Sequence, residues 1–248
     1  MTASTLQGAL KFESLRMSRN FAPIFFALAF PVMVLCIFGG IYGNKPSSQF
    51  NGVGVVDSSV PAYLILVVSV TGLMSFPLGL AEYRDKKILK RFRVTPTGPG
   101  TFLFAQGAVN FALSVMGALL LLVVGFAAFG LHQPRHIAES AGVLLLATLA
   151  MYAVGALVAS AARSERSATA FANLIYFPMI FLSGATIPLA IFPTGMRYIS
   201  NAIPATYGVK LLQHAWLGTQ TNVAVDLIVL FGTFLTAGAI SVRVFRWE

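Results

Sequence analysis

Six stretches of this chain are rich in apolar residues, nearly free of charge and at least 20 residues long. They cover residues 20–43, 60–81, 101–131, 140–162, 167–187 and 223–242. A helix that rises about 1.5 Å per residue needs roughly 20 residues to cross the hydrocarbon core of a bilayer. The pattern therefore predicts an all-α integral membrane protein with six transmembrane helices, folded as one domain over residues 1–248.

Residues 184–222 are also apolar, but their pattern does not favour a seventh span. Pro188, Pro193 and Pro204 interrupt the segment, and Arg197 and Lys210 lie between and after them. A helix broken in this way would expose unpaired backbone groups to lipid, at a cost of several kcal/mol each. We expect two short re-entrant or interfacial helices that enter from the outside and return before the last span.

The distribution of basic residues predicts the orientation, because cytoplasmic segments of membrane proteins are enriched in Lys and Arg. With the N-terminus inside, 13 of the 17 basic residues are cytoplasmic. The four on the other side are Lys45, Arg135, Arg197 and Lys210. The sequence therefore predicts a multi-pass protein of the cytoplasmic (inner) membrane, with both termini in the cytoplasm.

Composition supports the membrane and argues against nucleic acid as a partner. Hydrophobic residues make up 57% of the chain and charged residues 10%, where a soluble domain carries about 25%. The net charge of +9 comes from basic residues at the ends of the apolar stretches, not from a basic stripe with interleaved aromatics. The single cysteine, Cys36, excludes a disulfide within the chain and a thiolate metal cluster.

The loop at residues 82–100 contains acidic and apolar residues in addition to the basic residues that would set the topology. Its first dozen residues are compatible with a helix that has Ile88, Leu89 and Phe92 on one side and a Glu82–Lys86 pair. The proline of Thr95-Pro96 should end that helix. A basic anchor would explain the Lys and Arg residues. The acidic residues and the apolar ridge instead indicate a helix that docks into a groove on a protein partner.

Three groups of residues in these segments resemble the membrane domain of type-2 ABC transporter permeases, in particular the drug and antibiotic efflux branch. They are Arg84-Asp85 with Leu89, Phe92 and Thr95-Pro96; Phe181-Leu182-Ser183-Gly184; and Pro188, Phe192-Pro193 and Pro204-Ala205-Thr206-Tyr207. The chain departs from the family at Lys87-Ile88, where Gly-Thr is common. The basic residue that often follows the last motif is represented at best by Lys210.

The resemblance implies two permease copies, as a homodimer or related heterodimer, bound to two separate ATPase subunits. The loop helix would couple the subunits through a set of six residues. These are Glu82, Arg84, Asp85, Ile88, Leu89 and Phe92. The residues before the first span would lie along the membrane as a connecting helix. No Gly-x-x-x-x-Gly-Lys-Ser/Thr motif occurs in the chain, so we expect no ATPase site of its own. ATP and Mg²⁺ would be bound by the partner.

The expected function is export of a hydrophobic or amphipathic substrate, such as a drug, an antibiotic or a lipid-like molecule. The span interiors hold essentially no ionisable residue, which disfavours a proton-coupled transporter or a channel. It also disfavours a strongly charged cargo, which would need compensating groups. We expect the second and fifth spans to line the pathway, through Phe76, Phe177, Phe181 and Ser183.

Three other functions are compatible with parts of the sequence. A membrane anchor or assembly factor could recruit a cytoplasmic partner through the loop helix without transporting anything. Ser183 with His214 could be the nucleophile and base of a rhomboid-like intramembrane protease, although Phe181 replaces the glycine of that motif. His132 and His136 could bind a metal, although Pro134 between them favours an outer loop without one.

Overall fold

The computed structural model describes residues 3–46, 52–88, 98–185 and 192–244, which form nine helices. These are α1 Ala3–Ser18, α2 Phe21–Tyr42, α3 Val55–Asp85, α4 Gly98–Phe129, α5 Ile137–Ala161, α6 Glu165–Leu182, α7 Thr194–Ser200, α8 Pro204–Leu217 and α9 Val223–Val244. The structure is 84% helical, which confirms the all-α prediction.

Five of these helices, α2, α3, α4, α5 and α9, are long and apolar enough to cross a membrane. The predicted fifth span corresponds to α6, which has only 18 residues and begins with Glu165 and Arg166. These two charges lower its average hydropathy below that of the other spans. The chain is therefore a multi-pass membrane protein, and the sixth crossing stays a prediction.

Helix α3 is the central helix of the bundle. In its most apolar stretch 83% of the residues are buried, against 17% to 44% in the other four long helices. It contacts α2, α4, α5, α6 and α8. Because lipid and neighbouring helices are similarly apolar, close packing decides which helix becomes central. The predicted second span is thus surrounded by protein on most sides.

Two of the long helices contain a short π-helical segment, Phe25–Ala29 in α2 and Val70–Ser75 in α3. Each segment bulges toward a glycine of a neighbouring helix. A Cβ atom on Gly117 would lie 2.5 Å from the Ala27 carbonyl oxygen, and one on Gly155 would lie 1.9 Å from the Gly72 carbonyl oxygen. Only glycine fits at these two positions, as small residues do wherever membrane helices approach closely.

The segment before the last span contains two short helices, α7 with 7 residues and α8 with 14. A 14-residue helix is about 21 Å long, shorter than the hydrocarbon core. Pro204 stands in the first turn of α8, and Gly218 ends the helix in the left-handed conformation. The predicted position of these helices at the outer membrane surface stays a prediction, and Pro188 lies outside the described residues.

The N-terminal residues form α1, which packs along α4. Ala9, Phe102 and Ala105 make a small buried cluster there, and the ring of Phe12 meets Phe102 edge to face at 6.3 Å. Leu15 on the same helix is exposed. An N-terminal helix is therefore present, and its role as a connecting helix along the membrane stays a prediction.

Of the helix expected in the loop after the second span, only residues 82–88 lie within the described part of the chain. Residues 82–85 form the last turn of α3, and the chain turns at Lys86 and Lys87. Lys87 has φ +53°, a left-handed conformation that glycine adopts readily and lysine rarely. Leu89, Phe92 and Thr95-Pro96 lie outside the described residues.

Candidate functional site

A cavity of about 320 Å³ lies between α2, α3 and α6, with the end of α1 at one side. Five aromatic side chains line it: Phe26, Phe30, Tyr176, Phe177 and Phe181. The two π-helical segments contribute to its wall, through Phe26 on one side and Val70, Met74 and Ser75 on the other. Since π-helical segments are frequent at functional sites, their meeting at one cavity makes it the leading candidate site.

Two of the four predicted pathway residues meet in this cavity. Phe177 and Phe181 lie one helical turn apart on α6, and each is 51% exposed. Their neighbours Tyr176 and Ile180 also line the cavity, but these two side chains are buried and pack against the core of the bundle. One face of α6 therefore anchors the helix while the adjacent face supplies the two phenylalanines.

Phe76 lies on another side of α3. Its ring packs on Tyr152 of α5 at 5.2 Å between centroids, and it lines a second cavity of about 280 Å³ beside α5 and α9. Its role in the same pathway as Phe177 stays a prediction.

Ser183 is fully buried just beyond the last residue of α6. Its hydroxyl donates to the Ile180 carbonyl and accepts from the Ala185 backbone N–H. Nδ1 of His214 lies 2.6 Å from the Thr219 carbonyl oxygen. Both side chains bond to nearby backbone, so the arrangement gives no support to a serine–histidine pair.

The end of the cavity predicted to face the cytoplasm carries an ionic cluster, formed by Glu13, Arg16, Glu82, Tyr83 and Lys86. The Arg16 guanidinium bonds the Glu13 carboxylate through two nitrogens, at 2.6 and 3.2 Å, and Glu82 at 2.6 Å. The Tyr83 hydroxyl donates to Glu13, and Lys86 donates to Glu82 at 2.6 Å. The cluster therefore ties α1 to the end of α3.

The two basic groups of this cluster, Arg16 and Lys86, are stabilised in their charged forms. Burial of the Arg16 guanidinium acts to lower its pKa, but hydrogen bonds and charge attraction from Glu13 and Glu82 outweigh burial and raise the pKa above its usual range. The hydrogen bond to Glu82 likewise raises the pKa of Lys86. Arg16 is thus a permanent cation that two carboxylates already neutralise.

Arg84 and Asp85, both predicted to act in coupling, clasp the α5–α6 connection. The Arg84 guanidinium donates to the Ala159 carbonyl at 2.8 Å and to the Ala162 carbonyl, which are acceptors at the C-terminal end of α5. Asp85 accepts from the Glu165 backbone N–H at 2.6 Å, in the first turn of α6. Ser164 and Ser167 complete that N-terminus with a capping box.

The six predicted coupling residues therefore fall into two groups, those with contacts shown within the chain and those without. Glu82, Arg84 and Asp85 make contacts within the chain, at the end of α3. Ile88 is half-buried where the described residues of this loop end. Their contacts with a partner subunit, like those of Leu89 and Phe92, stay a prediction.

A buried polar stripe on α4 was not among the predicted site residues. Gln106, Asn110 and Ser114 follow each other at intervals of four residues, and all are at most 2% exposed. Ser114 bonds Thr71 of α3 at 2.6 Å, and Gln106 donates to the Phe76 carbonyl at 3.1 Å. The spacing of four was the available signal, because it places polar groups on one face of an otherwise apolar helix.

The two histidines suggested as metal ligands contact other parts of the chain, His132 through its ring and His136 through its backbone. Nδ1 of His132 lies 2.7 Å from the Asp57 carboxylate at the start of α3. The backbone N–H of His136 donates to the Ala215 carbonyl, which holds the α4–α5 loop against α8. No cluster of three metal-ligating side chains occurs in the part of the chain that the structure describes.

Comparison with known proteins gives consistent matches. The family described as ABC-2 type transporter matches residues 5–217. A protein of Porphyra purpurea named as a transport permease, ycf38, is 21% identical over 214 residues, which are 85% of this chain and 73% of that protein. A protein of Escherichia coli (strain K12) named as a multidrug ABC transporter permease, YbhS, is 23% identical over 173 residues, which are 69% of this chain and 46% of that protein.

Proposed function

Because this chain belongs to the ABC-2 type transporter family, we propose that it exports hydrophobic or amphipathic molecules across the cytoplasmic membrane. Membership makes it an ABC transporter permease, which works with an ATP-binding subunit. We propose that this subunit is a separate polypeptide that binds ATP and Mg²⁺, and that two copies of the permease act together. A drug, an antibiotic or a lipid-like molecule would be the cargo.

The aromatic cavity is the observation that carries this proposal. Its apolar wall suits a hydrophobic body, and the ionic cluster at one end offers polar partners to a head group. Ligand sites in proteins commonly combine an apolar lining with a few polar groups in this way. The membrane anchor considered as an alternative needs no such cavity.

The contacts of Arg84 and Asp85 with the α5–α6 connection suggest how the ATPase would act on the cavity. We propose that movement of the loop after α3 is carried by Arg84 and Asp85 to the first turn of α6. Since α6 also bears Phe177 and Phe181, displacement of its N-terminus would change the cavity wall. Leu89 and Phe92 would contact the ATPase, and Glu82 would hold the end of α3 to α1 through Arg16.

Transport by the reconstituted complex tests the proposal. We expect ATP-dependent movement of an amphipathic fluorescent dye in vesicles that contain the permease with its ATPase. The double variant Phe177→Ala, Phe181→Ala should lose most of this movement. Phe231→Ala, Leu235→Ala is the matched control, because these two residues are one turn apart on α9, 50% exposed, and absent from the cavity lining.

The outcomes separate the two functions. Loss confined to the α6 variant supports the cavity as the pathway. Equal transport by both variants would remove the cavity from the pathway. Vesicles with an assembled complex and no ATP-dependent dye movement for any cargo tested would favour the anchor.

A further inference from the structure

The charged side chains at the mouth of the aromatic cavity differ in how strongly they are already paired within the chain. Of the described residues that line the cavity, Arg16, Glu82 and Glu165 are charged. Two carboxylates thus face the same space as one guanidinium. The sign of the charge that a bound molecule meets depends on how far each of the three is already neutralised.

Arg16 has little capacity left for an anion. Its Nε and one terminal nitrogen bond Glu13, whose carboxylate is 1% exposed, and its other terminal nitrogen bonds Glu82. An anionic head group would have to displace a buried carboxylate that the Tyr83 hydroxyl also holds. Breaking a buried, hydrogen-bonded charge pair is costly because it leaves the other charge uncompensated.

The carboxylates, in contrast, remain accessible to a cation. Glu165 is exposed in the first turn of α6, and the described part of the chain forms no ion pair with its side chain. The contact of Glu82 with Lys86 involves an ammonium whose side chain is 60% exposed, and exposed pairs of this kind contribute little. Attraction to Glu165 also contributes to the raised pKa of Lys86, so a ligand cation competes with this exposed ammonium at both carboxylates.

The aromatic wall also favours a positively charged head group. Phe26, Phe177 and Phe181 present partly exposed rings to the cavity, and the faces of aromatic rings attract cations. Given the proposed export function, on which this step rests, we propose that the cavity binds amphipathic cations. These are molecules with an apolar body and a positively charged head group. The body lies among the rings and the head group lies beside Glu165 and Glu82.

Binding of three matched probes tests this assignment. Dodecyltrimethylammonium, dodecanol and dodecyl sulfate share one alkyl chain and differ in head-group charge. Their binding to the permease–ATPase complex in phosphatidylcholine nanodiscs is measured with radiolabelled probe, after subtraction of uptake by empty nanodiscs. We expect the cation to bind more tightly than the alcohol and the anion, and to stimulate ATP hydrolysis at the lowest concentration.

Charge variants of Glu165 locate the preference. Glu165→Gln should weaken binding of the cation about threefold, as expected for one exposed charge contact, and leave the alcohol unchanged. Glu165→Asp should retain most of the binding, and Glu165→Lys should weaken it further. Glu139→Gln is the matched control, because Glu139 is an exposed carboxylate in the first turn of α5 and is not part of the cavity.

Each outcome decides the inference. Equal binding of the three probes, or cation binding that is insensitive to Gln and Lys at position 165, overturns the cation assignment and leaves export of amphipathic molecules standing. Failure of all three probes to bind or to change ATP hydrolysis overturns the cavity as a cargo site, and the cation assignment with it.

Discussion

The carboxylate of Asp85 accepts a hydrogen bond from the backbone N–H of Glu165, with 2.6 Å between oxygen and nitrogen. The two residues are 80 positions apart. This bond joins the last turn of α3 to the first turn of α6. The coupling proposed above therefore depends on a contact that removal of one carboxylate would break.

Replacement of Asp85 should uncouple the complex without dissociating it. Asp85→Ala removes a charged acceptor from a helix N-terminus, which costs about 0.5–2 kcal/mol locally. We expect a purified complex whose ATP hydrolysis no longer responds to cargo, together with faster hydrogen exchange at residues 165–168. Glu139→Gln serves as the control. Normal stimulation by cargo in the Asp85 variant would contradict the proposed route.

The apolar ridge of the loop should act on assembly instead. Leu89→Ala with Phe92→Ala removes apolar area that would be worth roughly 1.5–3 kcal/mol per side chain if it is buried in the ATPase. We expect the double variant to lose co-elution with the ATPase in size-exclusion chromatography. A loop that serves only as a basic anchor predicts wild-type co-elution and transport.

Glycine at position 155 should be essential for packing. Gly155→Ala places a Cβ atom against the Gly72 carbonyl, so α3 and α5 must separate, at a cost of about 1–3 kcal/mol or more. Gly142→Ala is the control on the same helix, because nothing lies within 4 Å of its Cβ position. We expect a lower thermal unfolding midpoint in detergent only for Gly155→Ala. Equal midpoints would contradict the close contact.

Lys87 should be replaceable by glycine with a gain in stability. The left-handed backbone at this position costs a non-glycine residue about 1–2 kcal/mol. We expect Lys87→Gly to lower protease cleavage of the loop while transport is retained, and Lys87→Val to raise it. The reverse order would exclude the left-handed turn.

Reporters at the two termini count the crossings. An even number of spans, including α6, places a reporter fused before Met1 and one fused after Glu248 on the same side of the membrane. We expect both in the cytoplasm, from the distribution of basic residues. Reporters on opposite sides would mean an odd number of spans, so that either α6 does not cross or residues 184–222 do.

The five longest helices were predictable because length and low charge alone determine which segments partition into a bilayer. The break after Asp85 was not, since it depends on partners in α5 and α6 that are distant along the chain. The buried stripe of Gln106, Asn110 and Ser114 was hidden for another reason. Uncharged polar residues scarcely lower the hydropathy of a long apolar stretch, so only their spacing reveals a shared face.

Part of the cavity lining could be predicted from the spacing of residues along one helix. Phe177 and Phe181 are one turn apart on one helix, so sequence spacing places them together. Phe76 belongs to a different side of α3, and the direction that this helix presents to α6 depends on its π-helical segment. The residue type of Ser183 suggested a nucleophile, but its hydroxyl donates a hydrogen bond to the Ile180 carbonyl at the end of α6.

Each π-helical segment stores one residue more than an α-helix of the same path would hold. If the bulge at Val70–Ser75 moved along α3, every side chain that it passed would rotate about the helix axis by roughly 100°, the angle of one residue. Met74 would then leave the cavity wall without any unfolding of the helix. The carbonyl of Gly72 against Gly155 fixes where that surplus residue rests in this conformation.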